Sequence, residues 1–393
     1  MKKAIMYGAG NIGRGFIGQL FSLSGYEVGF VDVNEAVISR LNADRKYNVY
    51  VTDGDGYKTH TVSPVFGIDG KNTDLVAAHI TSASIMATAV GVNVLKFIAE
   101  PIAMGIKKRM ADAVTEPLNI IICENMIGAD KHLENLIKGY LSSAEAEYFD
   151  RYVGLVEPSI GRMVPATPKS ISENDPIAVC VEPYCELPVD RDAFKGDIPE
   201  IKSMIPFSPF DFYIRRKLFM HNMSHALTAY LGNLRGYEYI WQAIGDVEIR
   251  STARKALVEI SDAMSKEYGV PYDELEDFSL DLIRRYDNKL LGDTTLRVGK
   301  DTKRKLSEND RFVGAIRLCM KHDIVPESII KGMAAGFLFY PESDESSLEL
   351  KAFLDKNGIF AAMEKYCNIS RDDRLAAMIA EEYNKLIKNS TIL

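Results

Sequence analysis

Cysteine is scarce in this chain. There are five in 393 residues, Cys123, Cys180, Cys185, Cys319 and Cys367. The number is odd and no Cys-x-x-Cys pair occurs, which excludes a disulfide scaffold and a zinc ribbon. All five read as free thiols of a reducing compartment. Long apolar runs are missing too. No stretch approaches the roughly 18 uninterrupted apolar residues of a membrane span. The basic opening Met1-Lys2-Lys3 leads into too short an apolar run for a secretory leader. Positive charge is not in excess: 47 Lys and Arg against 55 Asp and Glu give a net charge of -8. Such a chain draws neither nucleic acid nor anionic lipid through its overall field, although a local basic patch can still hold a small anion. Repeats and low-complexity tracts are absent. What remains is ordinary globular composition, 47% hydrophobic and 26% charged. The expectation is a cytoplasmic protein acting on a small molecule, without nucleic-acid or membrane partners.

The first half of the sequence alternates short apolar runs with helical stretches. The runs are Ala4–Tyr7, Val28–Asp32, Ile85–Val90, Ile120–Cys123, Val153–Val156 and Ile177–Val181, with helices expected at Ile12–Leu23 and Glu35–Leu41. Alternation of this kind predicts a parallel sheet covered by helices. Polar/apolar alternation at Thr59–Phe66 predicts an additional strand beside that sheet. After the turn-rich stretch Phe194-Lys195-Gly196-Asp197-Ile198-Pro199 the strand signals fade. Helical periodicity then dominates, at Phe212–Leu231, Trp241–Tyr268, Tyr272–Arg285, Arg311–His322, Glu327–Phe337, Ser347–Lys356 and Asp372–Leu386. The stretch Pro341–Ser347 reads as a solvated connection. The expected organisation is an α/β Rossmann-type N-terminal domain, residues 1–195, followed by a mostly α-helical substrate and catalytic domain, residues 196–393.

The first apolar run ends in Gly8-Ala9-Gly10-Asn11-Ile12-Gly13. This is Gly-x-Gly-x-x-Gly between a strand and a helix. The first glycine permits a tight turn, the second lets a pyrophosphate approach the backbone, and the third lets helix and strand pack closely. A helix starting near Asn11 presents free N–H groups to the diphosphate. A second run ends in Asp32, about 20 residues further on, the usual spacing for the carboxylate that binds the adenosine ribose hydroxyls. Asp32 repels a 2′-phosphate, and neighbouring Val33 and Asn34 bring no cation, so NAD is expected rather than NADP. A helix-capping aspartate is the other reading of Asp32.

Polar groups are also concentrated in the segment running from Arg215 to Ala226. On an α-helix of about 100° per residue, Lys217, Asn222 and His225 fall at about 0°, 140° and 80°. One broad face then carries an amine, an amide and an imidazole amid Leu218, Phe219, Met220, Ala226 and Leu227. Burying such groups without partners is costly, so a polar cavity or a ligand is expected. The chemistry suits alcohol oxidation. A lysine whose pKa is lowered by burial or by nearby positive charge, such as that of Arg216, takes the hydroxyl proton. An amide stabilises the developing alkoxide, and an imidazole orients a hydroxyl. Lysine beside arginine is also the ordinary makeup of a solvated helix face, and a lone histidine is often structural. His221 and His225 stand four apart, as metal-binding histidines do, but the glutamate of His-Glu-x-x-His is missing and no third ligand is near. No metal is expected.

Taken together, these motifs resemble the polyol-specific long-chain dehydrogenases, in particular the branch acting on mannitol 1-phosphate. The resemblance covers nearly the whole chain. It is carried by the segment from Gly8 to Gly18 and by Phe30-Val31-Asp32-Val33-Asn34. Thr88-Ala89-Val90-Gly91, Cys123-Glu124-Asn125-Met126 and Arg216-Lys217-Leu218-Phe219 extend it, with Asn222, His225 and Thr228–Gly232 following in order. The resemblance implies Lys217 as general acid/base, Asn125 and Asn222 as amides around the reacting oxygen, and His225 as the residue that orients substrate. It adds Thr88 and Val90 to Gly8, Gly10, Asn11, Ile12, Gly13 and Asp32 as cofactor contacts. It implies metal-independent hydride transfer between NAD and a sugar-alcohol phosphate, giving fructose 6-phosphate from mannitol 1-phosphate.

Related mannitol 2-dehydrogenases and uronate reductases are usually longer, which favours the phosphate-using branch. Arg297, Lys300, Lys303, Arg304 and Lys305 form the basic cluster from which phosphate ligands are expected, above all Arg297, Lys300, Arg304 and Lys305. A solvated basic face is the other reading. Two departures from the family pattern stand out. Gly161 precedes Arg162 where the family often has an aspartate, and His221 takes a usually apolar position. The competing functions are a fructuronate or tagaturonate reductase and a catalytically silent NAD-binding sensor.

Overall fold

A computed structural model describes residues 1–390. It divides into two compact units, Met1–Asp211 and a second beginning at Phe212.

Eleven strands lie in the first unit. They are β1 (Lys3–Tyr7), β2 (Glu27–Asp32), β3 (Tyr47–Asp53), β4 (Gly56–Val62), β5 (Val65–Asp69), β6 (Ile85–Thr88), β7 (Leu118–Ile122), β8 (Val153–Val156), β9 (Val179–Val181), β10 (Leu187–Asp190) and β11 (Met204–Phe207). Six of them form a sheet in the order β5-β2-β1-β6-β7-β8. Every pairing in it is parallel. The strands read as continuous apolar runs because both faces are covered. Ala4 and Met6 of β1 enter one core cluster, whereas Ile5 and Tyr7 enter another. This is the two-residue period of a strand dividing one segment between two cores. The chain leaves β1 towards β2 on one side and returns at β6 on the other. The carboxyl ends of β1 and β6 therefore frame a crevice of the kind in which open α/β sheets bind ligands.

Three expectations change here. Thr59–Phe66 is not one strand. It divides between β4, which pairs antiparallel with β3, and β5, which joins the main sheet. The run at Ile177–Val181 contributes β9 to the small sheet β4-β3-β9 rather than to the main one. The first unit also continues through Asp211, past residue 195, because β11 pairs in parallel with β10.

The second unit is helical. Asp246 stops the expected helix Trp241–Tyr268 from being continuous. Its carboxylate accepts the N–H groups of Glu248 and Ile249 at 2.9 and 3.1 Å and so starts a new helix, Val247–Tyr268, after Ile240–Gly245. Pro341–Ser347 is less solvated than expected. Ser347 is fully buried at the start of the kinked helix Glu345–Cys367, bonded to Thr302 and Asp344. Fully buried Tyr230, Tyr286, Phe312, Phe337 and Phe339 fill this unit's interior. Among the described residues no helix is long and apolar enough to cross a membrane.

Candidate active site

In the first unit, Gly8 turns the chain at the end of β1 with φ +105°, a conformation that glycine adopts freely. A Cβ on Gly13 would stand 2.0 Å from the Gly8 carbonyl oxygen. The third glycine of the motif is thus fixed by close packing of the turn itself. Gly10 differs: it is exposed, and no atom lies within 4 Å of where its Cβ would be. The backbone is helical from Asn11 onward, so the exposed loop ends at a helix N-terminus. An open glycine beside free N–H groups is the cradle that a diphosphate requires.

Asp32 closes β2 and is built into this loop. One carboxylate oxygen accepts the Ala9 N–H at 2.7 Å and the other accepts the Asn34 N–H at 2.9 Å. Asn34, not Asp32, caps the following helix. Each carboxylate oxygen retains a lone pair for a ribose hydroxyl. At the end of β6, Thr88 is buried, and Val90 and Gly91 are held by a residue to which the sequence analysis gave no role. The Glu124 carboxylate accepts the N–H of Val90 at 3.0 Å and of Gly91 at 2.8 Å. Asn125 follows directly, exposed beyond the carboxyl end of β7. Gly8, Gly10, Asn11, Ile12, Gly13, Asp32, Thr88, Val90 and Asn125 thus gather at the carboxyl edge of one sheet. Their donors and their one carboxylate fit a dinucleotide.

Arg162 has a structural task. Its buried guanidinium donates to the Glu182 carbonyl at 2.9 and 3.0 Å, to the Gly15 carbonyl at 3.0 Å and to Gln19 Oε1 at 2.6 Å. It ties the nucleotide-loop helix to the small sheet.

In the second unit, residues Arg216–Asn222 form a π-helix that runs into the α-helix Met223–Leu234. The Met223 N–H donates to the Leu218 carbonyl, five residues back. Such widened turns recur at functional sites. They also correct the expected geometry. Lys217 and Asn222, five apart, come closer to one face than the α-helical angle of about 140° implies. Both are half-buried. The Asn222 carbonyl accepts from Arg311 at 3.3 Å.

His225 has a defined environment. Its Nε2 lies 3.1 Å from Asp293 Oδ2, and its ring stacks on Tyr286 at 4.8 Å and 7°. Tyr286 in turn donates to the His221 carbonyl at 2.9 Å and meets the Ser224 hydroxyl at 2.9 Å. Burial lowers the pKa of His225, partly offset by Asp293. His221 is buried four residues before it. Burial, then the charges of Arg285, His225, Lys217 and Arg311, hold its pKa well below the usual histidine value. Both imidazoles are therefore neutral near pH 7. Sequence reasoning missed Asp293 and Tyr286, which lie more than 60 positions from His225 and carry no local motif.

The residues of the basic cluster engage different partners. Arg304 is exposed and bound to Asp301 at 2.5 Å and Asp310 at 3.2 Å, and Lys303 pairs with Glu349. Lys305 points inward and donates to the Val298 carbonyl. Burial first, then Arg311 and Arg304, bring its pKa down to about 7. Arg297 is gripped by Asp293 through Nε at 2.6 Å and Nη2 at 2.5 Å. Lys300 is exposed. Among the described residues no group of three or more His, Cys, Asp or Glu is placed to hold a metal ion.

A Rossmann-type unit followed by a helical unit is a dehydrogenase architecture, and comparison with known proteins places it more closely. Residues 2–203 match the mannitol dehydrogenase Rossmann domain and residues 210–392 the mannitol dehydrogenase C-terminal domain. The chain belongs to the mannitol dehydrogenase family. It is 37% identical over 383 residues to the mannitol-1-phosphate 5-dehydrogenases of Bacillus velezensis and Bacillus subtilis, covering 97% of this chain and 100% of each relative. The enzyme of that name from Thermoanaerobacter pseudethanolicus is 36% identical over 386 residues, 98% of either chain. Among solved structures, a D-sorbitol dehydrogenase matches with a TM-score of 0.82 at 16% identity, covering 99% of this chain and 94% of that one. Pseudomonas fluorescens mannitol 2-dehydrogenase, solved with NAD and D-mannitol, matches at 0.75 and 14%, covering 100% and 93%. At such identities these two establish the fold alone.

Proposed function

We propose that the chain interconverts D-mannitol 1-phosphate and D-fructose 6-phosphate: mannitol 1-phosphate plus NAD+ gives fructose 6-phosphate, NADH and a proton. The observation that carries this reading is whole-length identity of 36–37% to three relatives that bear the name of this activity. The open Gly10 loop and Asp32 support NAD as the cofactor. When bound, NAD+ accepts the hydride released from the substrate's carbinol carbon. Gly8, Gly10, Asn11, Ile12 and Gly13 hold the diphosphate, Asp32 the adenosine ribose, and Thr88 and Val90 the neighbouring part of the cofactor.

The rest of the work falls to side chains. Lys217 Nζ takes the hydroxyl proton as the carbinol C–H bond breaks, and returns it in the reverse direction. Asn222 and Asn125 donate hydrogen bonds to the oxygen that gains negative charge. His225, neutral and stacked on Tyr286, orients a substrate hydroxyl. Arg297, Lys300, Arg304 and Lys305 supply positive charge for the phosphate, the first three of them exposed. The reaction takes place in the cytoplasm, a reducing compartment suited to a chain whose five cysteines form no disulfide. It uses no metal. EDTA treatment therefore leaves turnover intact, and a loss that Zn2+ restores contradicts this part.

The test is an NADH-oxidation screen over fructose 6-phosphate, fructose, fructuronate and tagaturonate. Fructose 6-phosphate is expected to show by far the highest kcat/KM. Preference for a uronate transfers the function to uronate reduction. Tight NADH binding without turnover of any ketose or uronate marks a silent sensor.

A further inference from the structure

The Asp293 carboxylate is 7% exposed and faces two cationic or potentially cationic side chains from different elements. Its Oδ2 lies 3.1 Å from Nε2 of His225, on the helix Met223–Leu234. Its Oδ1 accepts both Nε and Nη2 of Arg297, on the short helix Thr295–Gly299. The Asp293 carbonyl accepts the Ile240 N–H at 2.9 Å, which anchors the residue's backbone to a third helix. Tyr286 covers a face of the His225 ring, parallel and 4.8 Å away. His225 is thus stacked on one ring, with its Nε2 3.1 Å from a carboxylate oxygen. Arg297, otherwise a long solvent-facing chain, is fixed by the same carboxylate.

We propose that Asp293 is a positioning residue that sets the geometry of His225 and Arg297 together, so that the substrate hydroxyl and its phosphate are read by one preassembled unit. The proposal rests on the assignment of His225 and Arg297 to substrate given above. A rotamer-rich arginine held before substrate arrives loses less freedom on binding, and an imidazole held by a carboxylate presents one fixed orientation.

Asp293→Asn keeps the shape and removes the charge. We expect the KM for fructose 6-phosphate to rise at least about tenfold, since hydrogen bonds to charged groups are the stronger ones. The KM for NADH stays unchanged, because the variant lies outside the nucleotide-binding unit. The pH profile moves as well. Asp293 raises the His225 pKa, while Arg297, Lys305 and burial lower it, and His221 is the other titratable ring nearby. Removal of the carboxylate therefore carries the acidic limb of kcat/KM to lower pH. Asp293→Glu restores the wild-type profile. If Asp293→Asn does not fold, Arg297→Leu provides the same reading from the other side, with the acidic limb moving to higher pH. A folded Asp293→Asn enzyme with wild-type KM and wild-type pH profile overturns the inference, as does an Arg297→Leu enzyme whose acidic limb stays in place. A wild-type enzyme that does not turn over fructose 6-phosphate instead overturns the functional assignment beneath it.

Discussion

The nucleotide loop and the lysine-bearing helix solve opposite problems. The loop works through backbone. It removes side chains at Gly8, Gly10 and Gly13 and uses carboxylates, Asp32 and Glu124, to hold N–H groups in place. The helix works through side chains. It brings polar groups into an apolar interior and then supports them with partners from elsewhere in the unit, such as Asp293 and Tyr286 for His225. A site made of backbone is limited by sterics, where a single methyl group decides the outcome. A site made of buried polar groups is limited by electrostatics, where a distant charge decides it.

The contrast breaks most visibly at Gly13. Gly13→Ala places a Cβ 2.0 Å from the Gly8 carbonyl oxygen. NADH binding should be abolished and the melting temperature lowered, as titration by NADH fluorescence and a thermal melt would show. A folded variant with normal NADH affinity would refute the packing argument. Next in size is Asp32→Ala. The preference for NADH over NADPH in kcat/KM should fall about tenfold or more, since both the ribose acceptor and the Ala9 N–H acceptor are lost. An unaltered ratio would remove Asp32 from cofactor choice. Gly10→Ala sharpens the comparison. Stability should change by less than about 0.5 kcal/mol, because the added methyl meets no protein atom. NADH affinity should nevertheless fall, because the methyl occupies the space reserved for the diphosphate.

The smallest effect belongs to His221. His221 has a folded-state pKa depressed well below its unfolded value of about 6.5. The unfolded chain then binds the extra proton first, so stability is complete above that pH and is lost as pH falls below it. His221→Gln should lose less melting temperature than wild type between about pH 7.5 and 5.5, with His225 retaining part of the slope. Parallel acid profiles would show that His221 does not contribute.

Legibility follows the same division. The turn at Gly8–Gly13 and the carboxylate of Asp32 are local in sequence, and backbone sterics demand them wherever they occur, so the loop and the parallel sheet could be read directly. Lys217, Asn222 and His225 were readable as a group only because polar residues stood out against an apolar run. Their angular relation was misjudged, since no residue in Arg216–Asn222 announces a π-helix. The partners that fix His225 were invisible because tertiary packing, not spacing, brings residues 286 and 293 to it. The partners of the basic segment from 297 to 305 were hidden for a related reason. Lys305 turns inward, and Asp301, Asp310 and Glu349 engage its neighbours, none of which the sequence spacing announces.

The most direct test of the account is Lys217→Ala assayed for turnover and NADH binding side by side. The account predicts that kcat for fructose 6-phosphate reduction falls by about 10²–10⁴-fold, while NADH binds within about twofold of wild type. Turnover that survives the loss of this amine would contradict it.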